Sequence, residues 1–344
     1  MKTKIFIIAV FCQVICLGGF SQDFHLTQYD VATQYFNPAL TGNYFGDNVQ
    51  YKIYSDYRSQ WRSLGTKPYA TFYLAGDMPY SNWGKDFGVG GYIIHNRNGR
   101  GGLNTLNVMP SASYNITGKS NGPHALSVGL QMGILYKSYD PNSFTYDSQY
   151  NGNNGFDQNM SSGETFSKTS LLKFDANMGV FYKFKKAEWK AQPWGGFSVF
   201  NVTRPNLSLT GIEKDKLPMR WAFRAGADYT LNDQITLHPM ILYMNQAKAY
   251  EFNIGSLGFY KLKETKYEII GGLNYRWKDA FIIQAGMRYD QHIFKISYDI
   301  NTSYLNNYTN GRGGFEFGIV LSGISGKPLF NAKFLGGGGS KKSL

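Results

Sequence analysis

Hydrophobic and polar residues alternate with a period of two along most of the chain, which is the pattern of β-strands. In the segment 292–303, Phe294 and Ile296 share one face. Lys295 and Ser297 share the other. The pattern predicts about fourteen strands, at 46–58, 68–80, 86–97, 103–117, 124–139, 170–185, 191–204, 218–231, 235–247, 251–262, 267–278, 280–290, 292–303 and 312–322.

The length and aromatic content of these segments favour strands that cross a membrane. Many run for about 10 to 14 residues, which suits a tilted transmembrane strand, whereas strands of soluble proteins usually have about five or six. Aromatic residues make up 17% of the chain and gather near strand ends, as at Tyr275 and Trp277, where the interfacial girdles of membrane barrels lie. A secreted β-sandwich or propeller is the alternative. We predict an all-β fold, a transmembrane antiparallel up-and-down β-barrel of about 14 strands with a short periplasmic N-terminal segment.

The connections between the predicted strands are asymmetric. The two longest, about 140–169 and 205–217, follow the fifth and seventh strands and therefore fall on one side of the barrel. The tight turns LNDQ (231–234) and YDQH (289–292) fall on the other side. Outer-membrane barrels have long external loops and short periplasmic turns. We therefore predict an outer-membrane protein with both termini in the periplasm.

The first 21 residues have the composition of a secretory signal peptide. Two lysines precede an uncharged apolar run, 5–19, which is shorter than the ~20 residues that a spanning helix needs. A lipoprotein signal that uses Cys16 is the alternative. Both cysteines, Cys12 and Cys16, lie in this leader, so the processed chain has no disulfide and no thiolate metal site. The predicted organisation is a signal peptide (1–21), a periplasmic N-terminal segment (22–45), a barrel (46–322) and a C-terminal tail (323–344), of which 336–344 has the composition of a linker of native or added origin.

The net charge limits the classes of partner to be expected, and the charged residues lie on the polar face of the predicted strands. The net charge is +12, and it falls by two when Lys2 and Lys4 leave with the leader. For an exported barrel, this balance favours anionic lipopolysaccharide, peptidoglycan or an acidic partner over nucleic acid. The inward charges have mixed signs, so they brace the barrel as ion pairs, line a pore or hold a plug. The candidate lumen charges are Arg58, Asp175, Lys183, Arg220, Arg224, Asp228, Glu268, Arg276, Arg288, Asp290, Asp299 and Glu316.

Asn37-Pro38 separates an irregular segment from the first strand. Pro38 has no N–H for strand pairing, and Gly42 permits a sharp turn. The segment that ends here is expected on the periplasmic side, with the mouth of the lumen as a further possible position. In GVGGY (88–92), glycine lets a strand bend or a plug approach the wall.

Two motifs and the closing strands resemble the PorP/SprF family of Bacteroidetes outer-membrane proteins. NPALTG (37–42) follows an exported N-terminus, YRSQW (57–61) ends the first strand, and FKISYDINTSYLNNYTNGRGGFEFGIVL (294–321) matches the family's closing pattern. The resemblance spans about 24–322. The matching residues, interpreted as turn and barrel-closure positions, are Asn37, Pro38, Gly42, Tyr57, Arg58, Gln60, Trp61, Tyr298, Asp299, Gly314 and Glu316.

The resemblance implies a role in type IX secretion and gliding-associated adhesin display. Its expected partners are a secreted adhesin or its type-B C-terminal signal domain, other type IX secretion components, outer-membrane lipid and a periplasmic peptidoglycan-binding protein. A pore for small solutes is the alternative. The five histidines show no metal-ligand spacing and no Gly-X-Ser-X-Gly elbow occurs, so neither an enzyme nor a cofactor is expected.

Overall fold

Residues 25–44, 49–64, 67–80, 87–99, 102–117, 122–151, 155–163, 168–186, 188–209 and 215–323 are described by the computed structural model. They form a closed antiparallel barrel in which consecutive strands are neighbours and the last strand pairs with the first. The predicted antiparallel barrel of about 14 strands is therefore confirmed. The strands are β1 Tyr51–Gln60, β2 Tyr69–Tyr80, β3 Phe87–Asn98, β4 Leu103–Asn115, β5 His124–Ser138, β6 Ser170–Phe184, β7 Ala191–Phe200, β8 Arg220–Thr230, β9 Ile235–Gln246, β10 Ala249–Lys261, β11 Tyr267–Arg276, β12 Ala280–Tyr289, β13 His292–Asn301 and β14 Arg312–Gly323.

The remaining elements are short. In the described part of the chain, the α-helices are α1 Thr33–Phe36 and α2 Asn306–Thr309, each of one turn, and neither belongs to the barrel wall. None of the helices in the described part of the chain is long and apolar enough to cross a membrane. The other elements are a two-stranded ribbon, Tyr150–Asn151 with Gly155–Phe156, and 3₁₀ turns at Pro38–Leu40, Arg62–Leu64, Pro141–Ser143 and Asp147–Gln149.

Side chains alternate between the two faces of the wall as the sequence pattern predicts. On β13, Ile296 points outward and is 46% exposed, whereas Lys295 and Ser297 point into the barrel and are buried. On β12, Phe281 and Ile283 point outward in the same way. The outer surface is thus a band of apolar side chains, which a bilayer accommodates and water does not.

The two rims of the barrel differ in their connections. One, which we call the loop rim, carries the connections after odd-numbered strands, including the long segments 139–169 and 201–219. The other, the turn rim, carries the start of β1, the end of β14 and tight turns such as 231–234 and 290–291. The asymmetry in loop length expected from the sequence is therefore present.

The N-terminal segment lies inside the barrel. Residues 25–44, called here the lumen segment, are largely buried; Leu26 and Val31 are fully buried and Phe36 nearly so. Its side chains pack against aromatic residues of the wall, as where Tyr35 meets Tyr92 edge to face. The sequence placed this segment on the periplasmic side or at the mouth of the lumen, and the structure places it well beyond the mouth.

Candidate functional site

The Asn-Pro pair folds the middle of the lumen segment onto the wall. The Asn37 side chain accepts a hydrogen bond from the Ala39 N–H at 2.9 Å, which begins the 3₁₀ turn at Pro38. Proline suits the first position of such a turn, where an N–H would have no partner within the turn. The Asn37 amide donates to the Val180 carbonyl of β6 at 2.9 Å. This motif therefore both shapes the segment and attaches it to the barrel.

Glycines on the inner face of the wall make room for the segment. A Cβ added at Gly129 would lie 2.3 Å from the Ala39 nitrogen, and one at Gly88 would lie 2.0 Å from the Thr41 carbonyl oxygen. Gly88 belongs to the GVGGY stretch, and its lack of a side chain lets the lumen segment approach the wall at Thr41. Gly42 has a φ of +59°, which favours glycine over other residues. The recessed wall shows that the barrel and the segment fit each other as one packed unit.

Residues from both ends of the chain meet where the barrel closes. Arg58 of β1 is paired directly with Glu316 of β14. Its guanidinium contacts the Glu316 carboxylate at 2.9 Å and the Asp299 carboxylate of β13 at 2.6 Å, and all three side chains are buried. Arg276 of β11 also contacts Asp299. We call Arg58, Arg276, Asp299 and Glu316 the seam cluster; a buried ionic network of this kind requires that every charge keeps its partner.

The seam cluster binds the main chain of the lumen segment. The Glu316 carboxylate accepts hydrogen bonds from the Thr27 N–H at 2.8 Å and the Gln28 N–H at 2.6 Å. Arg58 donates to the Thr27 hydroxyl at 2.6 Å. Bonds in which one partner is charged are about twice as strong as neutral ones. Two of the family-motif residues therefore fix the segment to the strands that close the barrel.

A second ion pair holds the segment on the turn-rim side of the seam cluster. The Lys295 ammonium lies 2.6 and 2.7 Å from the two Asp30 carboxylate oxygens. Both carboxylate oxygens lie within hydrogen-bond distance of the ammonium, so this contact is a charge-assisted ion pair.

Two predicted lumen cations contact aromatic rings of the segment. The Arg220 guanidinium lies 4.4 Å from the Tyr35 ring centre and 4.3 Å from that of Phe200, and it donates a hydrogen bond to the Tyr35 hydroxyl. Arg224 lies 5.6 Å from the Phe36 ring centre. These cation–π geometries fix the aromatic part of the segment to β8. The sequence predicted the position of both arginines but not their aromatic partners.

The first described residue of the segment lies near the loop rim. A ring nitrogen of His25 is 3.5 Å from the Gln60 amide nitrogen, and the other is 3.8 Å from the Glu251 carboxylate. His25 therefore marks the loop-rim end of the described segment.

Other predicted lumen charges form pairs away from the lumen segment. Lys183 contacts Asp228 at 2.5 Å, and Asp228 also contacts His238 at 2.8 Å. Arg288 contacts Glu268 at 2.8 Å. These pairs are partly exposed. Two of them connect neighbouring strands, and the Lys183–Asp228 pair connects β6 to β8 across β7.

The remaining predicted residues divide between the lumen and the surface. Asp175 is buried and accepts a hydrogen bond from Thr203. Asp290 differs from the expectation: it lies in the exposed two-residue turn after β12 with a φ of 56°, because the alternation ends one residue earlier. Tyr57 and Tyr298 point outward and are about two-fifths exposed. Trp61 packs edge to face on Tyr69, and Gly314 lies beside the Arg58 guanidinium.

One further buried carboxyl group, that of Asp56, lies beside the seam cluster. Asp56 lies one inward position before Arg58 on β1 and diagonal to Glu316 on β14. Among the described residues, no group of three His, Cys, Asp or Glu side chains is arranged to hold a metal ion.

The contacts that sequence reasoning missed lie mainly in the irregular segment. Thr27, Gln28 and Asp30 follow no periodic pattern, so nothing in the sequence indicated which strands they would meet. Lys295 was visible on the polar face of β13, and its alternation with apolar neighbours was the available signal. Its partner, however, is 265 residues away.

Solved structures of other barrels are similar in shape. The Ralstonia pickettii toluene transporter TbuX is 10% identical, with 84% of this chain and 92% of that chain covered at a TM-score of 0.48. The Pseudomonas putida toluene transporter TodX is 12% identical, with 88% and 94% covered at 0.47. No conclusion about function follows from similarities of this size. No curated protein sequence matches the chain.

Family comparison agrees with the motif residues that build the seam. The match is to the type IX secretion system membrane proteins PorP/SprF and runs over residues 19–320. It therefore includes the lumen segment and all but the end of β14. The barrel fold and this match make the protein an outer-membrane protein, and the chain belongs to the PorP/SprF family.

Proposed function

We propose that this barrel partners a type IX secretion substrate, a large surface adhesin with a type-B C-terminal signal domain, aids its export and holds it at the cell surface. The observation that carries the proposal is the occupied lumen: the chain's own segment is bound there by Glu316, Arg58 and Lys295. With the interior occupied, the rims are the surfaces available to a partner. The long segments 139–169 and 201–219 give the loop rim the larger surface.

The proposal includes an orientation. The loop rim faces the outside, where an adhesin is displayed, and the turn rim faces the periplasm, as in other outer-membrane barrels. The end of β14 then lies on the periplasmic side. The turn rim is where other secretion components and a peptidoglycan-binding protein would reach the barrel, and the apolar band contacts outer-membrane lipid.

The segment 139–169 has the features of a surface that a partner covers. Tyr150 is 70% exposed, and Phe144 and Phe156 are exposed as well. Aromatic side chains are enriched in protein interfaces, where they bury large areas at low cost in conformational entropy. These rings therefore support a protein partner on the loop rim.

The test is genetic deletion followed by measurement of surface adhesin. Removing this gene while the adhesin gene stays intact should remove the adhesin from the cell surface, and the wild-type gene should restore it. A variant shortened within 141–163 should fail to restore display, whereas a matched variant with a shortened 262–266 turn should restore it. Unchanged adhesin display in the deletion strain would refute the proposal.

A pore for small solutes is the second candidate. The wall favours it in one respect, because its inner face is polar: Gln131, Asn177 and Asn274 are buried there and hydrogen-bonded to other lumen groups. The lumen segment, however, occupies the channel. Steady single-channel current through the wild-type protein in a planar bilayer would favour the pore, and current that appears only when 25–44 is deleted would favour the interaction role.

A further inference from the structure

One end of the lumen segment is fixed at the turn rim. The Tyr44 hydroxyl donates to the Asp77 carboxylate at 2.6 Å, and the Lys52 ammonium lies 4.6 Å from the Tyr44 ring centre. Lys52 is the second residue of β1 and pairs with Asp77 of β2. The segment therefore enters the lumen from the rim at which β1 begins.

The other end rises along the wall toward the opposite rim. Asp30 contacts Lys295, Gln28 contacts Ser297 and Thr27 contacts Asp299. β13 runs from the turn rim at residue 292 to the loop rim at residue 301. The segment therefore runs along β13 toward the loop rim as its residue numbers decrease.

The climb ends at the loop rim. His25 contacts Gln60, the last residue of β1, and Glu251, the third residue of β10. Both strands have these ends at the loop rim. The described segment therefore crosses the barrel from one rim to the other.

A residue close to His25 in the sequence reports the rim at which the lumen segment ends. Asp23 precedes His25 by two residues, and two extended residues reach about 7 Å. A ten-residue strand tilted by about 40° spans roughly 25 Å of the barrel height. We propose that the chain is threaded through its own barrel, so that the N-terminal end of the lumen segment, at His25, lies at the loop rim and forms part of the partner-binding surface.

This proposal replaces the expectation that both termini lie on one side. The threading follows from contacts within the barrel alone, and only its assignment to the outside of the cell rests on the proposed function. An adhesin domain held on the loop rim would then meet the terminus of the lumen segment as well as the loops. Binding of the adhesin domain at the loop rim would then be connected, through the lumen segment, to the contacts that this segment makes with the seam cluster.

Cysteine labelling tests the proposal, because both native cysteines lie in the predicted leader. Single-cysteine variants Asp23→Cys, Ser161→Cys on the loop rim and Asn232→Cys on the turn rim are treated in intact cells with a membrane-impermeant maleimide, and again after lysis. Heat-modifiable gel migration verifies that each barrel is folded. We expect Asp23→Cys to be labelled in the same preparations as Ser161→Cys.

The outcomes separate the threading from the orientation. Labelling of Asp23→Cys together with Asn232→Cys would overturn the threading. If Ser161→Cys reacts only after lysis and Asn232→Cys reacts in intact cells, the proposed orientation fails, while Asp23→Cys still supports threading if it follows Ser161→Cys. Should Asp23→Cys react in neither preparation, an epitope inserted after Ser21 decides: antibody access matching that of a loop-rim epitope supports the proposal, and access matching a turn-rim epitope refutes it.

Discussion

Glu316→Gln should release the N-terminal half of the lumen segment. The carboxylate is fully buried and accepts from the Arg58 guanidinium and from the main-chain N–H groups of Thr27 and Gln28, at 2.6–3.0 Å. Glutamine has the same shape, but it removes the negative charge and turns an NH2 group toward these donors. Removing one partner of a buried ion pair costs about 3–5 kcal/mol. Since Asp299 still pairs with Arg58, we expect a value near the lower limit.

That cost sets the size of the expected effect. About 3 kcal/mol corresponds to a change on the order of 10²-fold in the ratio of released to bound segment. The assay is ion conductance of the purified barrel in a planar bilayer, combined with protease cleavage of the released segment. We expect more frequent open events and faster cleavage in Glu316→Gln than in the wild type.

Glu268→Gln is the matched control. Glu268 also lies on the inner face and pairs with an arginine, Arg288, at 2.8 Å, but the pair is partly exposed, and such pairs contribute about 0–1 kcal/mol. It should leave both readouts unchanged. Wild-type conductance and protease resistance in a folded Glu316→Gln barrel, or equal effects of the two variants, would refute the assigned role of the seam cluster.

Three further predictions concern the same segment. Asp30→Asn should lower the melting temperature at pH 7 in detergent, because it removes the carboxylate charge that pairs with the Lys295 ammonium; an unchanged melting temperature would contradict this. Asp56→Asn should raise the melting temperature at pH 7, because asparagine removes a buried acidic group that lies beside the Glu316 carboxylate, and a marked decrease would contradict this. Gly129→Ala should destabilise the barrel by about 1–3 kcal/mol through overpacking and so lower its melting temperature. Gly271→Ala, with no atom within 4 Å of the added Cβ, should leave the melting temperature unchanged. Thermal scans that show equal effects of the two variants would disprove the close fit between the wall and the segment.

The sequence was sufficient to predict the strands of the barrel wall, but not the contacts of the segment inside the barrel. Alternation on β13 identified Lys295 and Asp299 as inward residues, since a strand has only two faces. It could not identify Asp30 or Thr27 as their partners, because an irregular segment has no period that assigns its residues to a face. The motif residues Arg58 and Glu316 were recognised as closure positions, yet their contact with the segment's main chain depends on three-dimensional register alone.

The Arg58–Glu316 pair also has a consequence for assembly. Its members are 258 residues apart, and the two carboxylates that contact the Arg58 guanidinium lie on the last two strands. A polypeptide truncated before β14 would keep Asp299 but would have no Glu316 to accept the main-chain N–H groups of Thr27 and Gln28. Closure of the barrel and attachment of the lumen segment therefore both depend on the last strand to be synthesised.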